Sequence, residues 1–121
     1  VPSIIFSLLR MKASKILLSN RTKEKANNLK KFFKEINIID WGDLPDFDMI
    51  INATTLGLNK DDKFGLDFSQ ISNNKLLYDV IYSPFQTEFS EAGNAKGNSI
   101  ENGLNMFLFQ GQQAFNIWHN V

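Results

Sequence analysis

Short apolar runs alternate along this chain with segments of helical period, and small clusters of amide, hydroxyl and basic side chains stand where the runs end. The runs fall at residues 15–20, 36–41, 48–53, 75–82 and 98–101. Parallel strands cannot be joined by a tight turn and need a crossover, usually a helix. Strand and helix alternating through short links therefore predict an α/β fold whose parallel sheet is covered on both faces.

The helical segments carry their own signals. Pro2 suits the first turn of a helix over residues 2–10, where its missing N–H costs nothing, and Ile4, Ile5, Leu8 and Leu9 form an apolar stripe on it. After Thr22, the residues Ala26, Leu29, Phe32 or Phe33, and Ile36 recur at helical spacing with lysines opposite, predicting three to four turns. A short helix is expected over residues 87–95, stopping near Gly97. The terminal helix, residues 102–118, places Leu104, Phe107, Leu108, Gly111, Phe115 and Trp118 on a face expected to point into the core. Gly103, Met106, Gln110 and Gln113 share a second stripe well separated from it. Residues 56–67 read as irregular and polar.

Composition narrows the function. The 121 residues carry 13 basic and 13 acidic side chains, a balance that argues against nucleic acid or an anionic membrane surface as the main partner. With no cysteine, a disulfide, a thiolate nucleophile and a cysteine metal site are all excluded. No apolar run approaches the roughly 20 residues needed to span a bilayer. Residues 1–9 are apolar but lack the basic start and small-residue cleavage site of a signal segment, and the chain opens on Val1. It is expected to be a piece of a longer polypeptide.

Four motifs follow in order: Asn20-Arg21-Thr22; Asn52-Ala53-Thr54-Thr55; Tyr82-Ser83-Pro84-Phe85-Gln86-Thr87; and Asn102-Gly103-Leu104-Asn105-Met106, running on to Gln110. Each lies where a strand ends or a helix begins, and open α/β sheets bind ligands at the carboxyl ends of their strands. Each also has a plainer reading. The first is a basic, solvated helix start; the second is a turn whose Asn and Thr bond their own backbone. The third is a packed strand end whose tyrosine finds a local partner, and the last is a solvated glutamine face.

Taken together, the motifs resemble the nucleotide-binding half of the shikimate dehydrogenases, over essentially the whole chain. The resemblance implies a Rossmann-like, doubly wound parallel sheet of order 3-2-1-4-5-6, truncated so that the first strand and the glycine-rich phosphate loop are missing. Residues 1–121 would form one partial NADP-binding domain, with the N-terminal substrate domain absent. Two part-sheets are then expected, with Ile16 to Leu18 and Ile50 to Ile51 incompletely covered. The implied activity is that of a cytoplasmic oxidoreductase of aromatic amino-acid and chorismate biosynthesis, moving hydride between NADPH and 3-dehydroshikimate.

The resemblance also assigns residues. Asn20, Arg21, Thr22 and Lys25 hold the 2′-phosphate of NADP, where an NAD enzyme commonly has a carboxylate for the ribose hydroxyls. Asn52, Ala53 and Thr54 line the cofactor cleft, and Gly103 and Met106 neighbour the nicotinamide. Tyr82 and Gln110 reach the substrate, and Thr87 belongs to the tyrosine signature. Asn105 departs from the smaller residue often found at its position. No catalytic acid or base is expected here, since the proton-handling lysine and aspartate belong to the substrate domain. No metal site is expected; the Asp61-Asp62 pair reads as solvated, and His119, the only histidine, as a helix-terminal cation. The implied partners are shikimate or 3-dehydroshikimate and the N-terminal domain, without nucleic acid or membrane; a homodimer is compatible with the sequence. Two alternatives stay open: a quinate/shikimate dehydrogenase using NAD, and a non-catalytic nucleotide-binding module.

Overall fold

The computed structural model describes residues 1–59, 61–83, 87–95 and 97–119. Pro84, Phe85 and Gln86 of the tyrosine motif lie outside the described residues. The chain divides into two compact units, Val1–Asp43 and Leu44–Val121.

In the first unit, helix α1 (Pro2–Arg10) leads to strand β1 (Leu17–Leu18), helix α2 (Lys23–Phe32) and strand β2 (Asn37–Ile38). β1 and β2 are parallel, with Leu17 opposite Asn37 and Leu18 opposite Ile38, so β1-α2-β2 is the expected crossover unit. The strands are shorter than the apolar runs that produce them. Even so, the ladder reaches beyond them, through Asn37 N to Ile16 O at 2.9 Å and Ile39 N to Leu18 O at 3.0 Å. The core is Ile5, Ile16 and Ile36, with Leu8, Leu9, Leu18, Leu29, Phe33 and Ile38 packed around it. Sequence spacing left Phe32 and Phe33 interchangeable on α2; Phe33 is the one that packs, and Phe32 is exposed. Lys30, in the last turn of α2, donates to the carbonyls of Lys34 and Ile36, tying the helix to the segment that leads into β2.

The second unit contains strands β3 (Met49–Asn52), β4 (Leu76–Asp79) and β5 (Ser99–Glu101), with helix α3 (Glu88–Ala95) before β5 and helix α4 (Leu104–His119) after it. The sheet order is β3-β4-β5, all parallel, in a register that sets Asn52 beside Asp79 and Tyr78 beside Glu101. These neighbours correspond to the expected 4-5-6 half of the sheet, as β2 and β1 correspond to 3-2. Alternation along β4 buries Leu77 and Asp79, and in the segment that follows it Ile81 is buried and Tyr82 is 41% exposed. α3 packs on β4 so closely that a Cβ on Gly93 would come within 2.7 Å of a Leu77 methyl.

Two expectations fail in this unit. Residues 56–67, read as a polar loop, contribute Leu56 and Phe64 to the core, where Phe64 stacks against Phe89 and Phe68 at centroid distances of 5.6 and 5.8 Å. Helix α4 does not bury the face built on Leu104, Phe107, Leu108, Phe115 and Trp118; each of these side chains is exposed. Among the described residues the helix is tied to the sheet at its start, where Gly103 N donates to Ile81 O at 3.3 Å, and no described element of the unit covers its later turns. Ile16 is buried, contrary to expectation, while Leu17, Leu18, Ile50 and Ile51 are half-buried.

Candidate functional site

At the carboxyl end of β1 the chain turns into α2 through Asn20, Arg21 and Thr22. Asn20 Oδ1 accepts from Thr22 N at 2.8 Å, closing an Asx turn, and Thr22 stands at the N-cap with extended backbone. The turn satisfies one backbone donor locally and leaves the Arg21 guanidinium exposed, without an ion pair among the described residues. Lys25 is likewise exposed in the first turn of α2. A cleft of about 200 Å³ opens here, lined by Asn20, Arg21, Lys23 and Ala26 on one side and by Ile38, Ile39, Asp40 and Trp41 from the end of β2 on the other. Apolar walls, an aromatic ring and cations at a helix start suit a nucleoside carrying a phosphate. Residue order could not show that β2 brings a carboxylate into this cleft: Asp40 Oδ1 lies 3.0 Å from Lys23 Nζ.

In the second unit, the ends of β3 and β4 and the start of α3 meet at one buried carboxylate. Asp79, 1% exposed, accepts from Asn52 Nδ2 at 3.0 Å and Ile81 N at 3.1 Å on one oxygen, and from Thr87 Oγ1 at 2.5 Å on the other. Asn52 is fully engaged. Its second amide hydrogen goes to Leu56 O at 3.0 Å, and its carbonyl oxygen accepts from Thr54 N and Thr54 Oγ1. Thr87 and Ser90 bond reciprocally, Thr87 N to Ser90 Oγ at 2.8 Å and Ser90 N to Thr87 Oγ1 at 3.2 Å, which caps α3. The plain reading of Asn52 as a residue that organises its own turn is therefore realised. Ala53 and Thr54 are half-buried beside it. Sequence reasoning missed Asp79, whose only signal was an acidic residue inside an apolar strand.

Tyr82 stands at the lip of β4, with its ring 5.0 Å from that of Phe107 in the first turn of α4. Gly103 is buried, and a Cβ there would lie 1.7 Å from Val80 O, so only glycine lets α4 begin against β4. Met106 is half-buried next to Phe107, and Gln110, one turn further along the helix, is exposed. The unit thus brings Tyr82 to the start of the helix that carries Met106 and Gln110. Of the remaining polar residues, His119 stacks on Phe115 at 4.3 Å, and Asp62, read as solvated, instead accepts from Gly57 N and Asn59 N, both at 3.0 Å. Among the described residues no acidic or histidine cluster is arranged to hold a metal ion.

Parallel β-α-β connectivity, with polar motifs gathered at the carboxyl ends of the strands, defines a Rossmann-like nucleotide-binding fold. No family model matches the chain. Along its whole length, however, the chain is similar to part of the shikimate dehydrogenases. It is 49% identical over 121 residues to the shikimate dehydrogenase (NADP(+)) of Pelagibacter ubique, covering 100% of this chain and 46% of that protein. With the enzyme of a Staphylococcus aureus strain it shares 33% identity over 118 residues, 97% of this chain and 44% of that one. Among solved structures, shikimate dehydrogenase from Aquifex aeolicus superposes with a TM-score of 0.85 at 30% identity, over 98% of this chain and 44% of its own. Quinate dehydrogenase from Corynebacterium glutamicum in complex with NAD has a TM-score of 0.89 at 20% identity, over 99% of this chain and 46% of its own, which shows the shared fold. The chain spans under half the length of the relatives it matches.

Proposed function

We propose that this chain is the NADP-binding part of a shikimate dehydrogenase, serving hydride transfer between NADPH and 3-dehydroshikimate. The observation that carries the reading is Arg21, exposed and without an ion pair among the described residues, beside the Asn20–Thr22 turn in the lining of the β1–β2 cleft. The donor chemistry fits the adenosine 2′-phosphate: the Arg21 guanidinium lines the cleft, Thr22 and Lys25 lie exposed at the start of α2, and Ile38, Ile39 and Trp41 give the cleft apolar walls. A Matching cofactor name among relatives, shikimate dehydrogenase (NADP(+)), supports it.

In this reading the division of labour follows from burial. Asn52, locked to Asp79, shapes the loop through Ala53 and Thr54 that borders the cofactor. Gly103 sets the start of α4 against β4, and Met106 shelters the nicotinamide side. Tyr82 and Gln110, both exposed, supply hydroxyl and amide groups for the substrate. The cofactor supplies the hydride, and these residues supply position, which matters because hydride transfer needs donor and acceptor carbons held in contact. No residue here is assigned as catalytic acid or base. Those groups, with the substrate domain, are expected in the part of such a polypeptide that lies outside the 121 residues. Such an enzyme would work in the cytoplasm, with shikimate or 3-dehydroshikimate as its small-molecule partner.

NAD use is the second reading, and Asp40 favours it, because a carboxylate in this cleft accepts from ribose hydroxyls. Titration of the protein with 2′,5′-ADP and with ADP separates the two. Tighter binding of 2′,5′-ADP, lost in Arg21→Ala, supports NADP; equal binding of both, unchanged in the variant, removes the basis of the reading.

A further inference from the structure

The 2′-phosphate reading of the β1–β2 cleft leaves Lys23 and Asp40 without a task, and the inference drawn from them rests on that reading. Lys23 is the first residue of α2 and Asp40 follows β2, so the fold, not the order of residues, brings them together. Their charged groups pair at 3.0 Å, with side chains 68% and 72% exposed, and both line the cleft that contains Arg21. Asp40 is the one carboxylate among the residues lining that cleft. It has two consequences for an incoming dianion: it engages the lysine that lines the cleft with Arg21, and it repels the phosphate directly. An exposed lysine–carboxylate pair contributes little to stability, so either side chain can be replaced without disturbing the fold.

We propose that Asp40 is a specificity-determining residue, which holds Lys23 away from the 2′-phosphate and so weakens discrimination between phosphorylated and unphosphorylated ribose. The competition makes the two side chains interdependent. With Asp40 present, Lys23 contributes little to phosphate binding; with Asp40 neutralised, Lys23 turns to the phosphate beside Arg21. A carboxylate serving the ribose hydroxyls instead would have the opposite effect on binding when removed.

The test is calorimetric titration of the 121-residue protein with 2′,5′-ADP and with ADP at low ionic strength, where exposed charges are least screened. Asp40→Asn tightens 2′,5′-ADP by about 3- to 10-fold, the range expected for removing one nearby like charge at high dielectric, and changes ADP by less than about twofold. Lys23→Met weakens 2′,5′-ADP by less than about twofold in the wild-type background and by several-fold in the Asp40→Asn background. Unchanged or weaker 2′,5′-ADP binding in Asp40→Asn overturns the proposal, as does an equal effect of Lys23→Met in both backgrounds. The underlying reading fails separately, and takes the proposal with it, if the wild type binds ADP and 2′,5′-ADP alike and Arg21→Ala alters neither. Both side chains are exposed, and unchanged circular dichroism spectra of the variants confirm that binding alone is being read.

Discussion

The Asp79 carboxylate gives a graded prediction about stability. Asp79→Leu strands one hydrogen of Asn52 Nδ2 and the Ile81 N–H, while the Thr87 hydroxyl can turn toward Ser90 Oγ, 3.4 Å away. A stranded buried donor costs about 1–3 kcal/mol, so two cost about 2–6 kcal/mol, with about 3–4 kcal/mol expected once leucine's own burial is set against them. Asp79→Asn is milder for a specific reason. Its carbonyl oxygen can keep both bonds of Oδ1, and its NH₂ can donate to Thr87 Oγ1 if that hydroxyl gives up its own donation. What is lost is the charge assistance on three bonds, offset in part by no longer burying a charge, a net cost of about 1–2 kcal/mol. In a domain of roughly 60–100 residues, 1 kcal/mol corresponds to about 4–8 °C in Tm. Thermal unfolding with hydrogen-exchange mass spectrometry on β3, β4 and the start of α3 should show Asp79→Leu down by more than about 10 °C and Asp79→Asn by about half that or less. Asp61→Asn, at an exposed position, is the control and should change nothing. A neutral Asp79→Leu, or an Asp79→Asn worse than Asp79→Leu, would refute the argument that the Asn52 and Ile81 donors depend on this side chain.

Gly103→Ala should destabilise the second unit by several kcal/mol or prevent α4 from docking, because its Cβ would lie 1.7 Å from Val80 O; native-like exchange protection around Ile81 would show that α4 tolerates the displacement. In a polypeptide that also carries the substrate domain, Arg21→Ala should reduce kcat/KM with NADPH by about 10-fold or more, from charge-assisted bonds of roughly 1.5–3 kcal/mol weakened at an exposed rim. Use of NADH should change little, and an equal loss with both cofactors would make Arg21 a residue of the fold. The 121-residue chain alone should not oxidise shikimate with NADP; turnover by protein free of host enzyme would show that proton handling resides here after all. Exposed Phe107, Leu108, Phe115 and Trp118 on α4 should make the isolated chain associate as its concentration rises, and sedimentation of a monomer at all concentrations would contradict this.

Periodicity was enough to order the elements. Strand-length apolar runs and the 3.6-residue stripes of α1 and α2 are local signals, and they appear as parallel strands joined by helices because chain connectivity leaves few other ways to pair them. The helix start after Thr22 was legible for the same reason, and so was the turn that Asn52 and Thr54 close within three residues; the Asx turn at Asn20 emerged only in the structure. Contacts between residues distant in the chain were not legible. Nothing in the order of residues distinguishes Phe33 from Phe32, or reveals that Phe64 joins Phe68 and Phe89 across a stretch that reads as polar loop. The stripe on α4 was read correctly as apolar, but whether an apolar face is buried depends on having another element to meet, and no described part of its unit covers it. The same holds for charge. Asp79 becomes the junction of two strand ends and a helix cap because sheet register sets Asn52 and Asp79, 27 positions apart, side by side; Asp40 enters the cleft of Arg21 because the β1-α2-β2 crossover returns the chain after β2 to the start of α2, 17 positions back at Lys23. A sequence specifies local conformation through each residue's own backbone and its near neighbours; which polar group answers which is decided only when the strands pair.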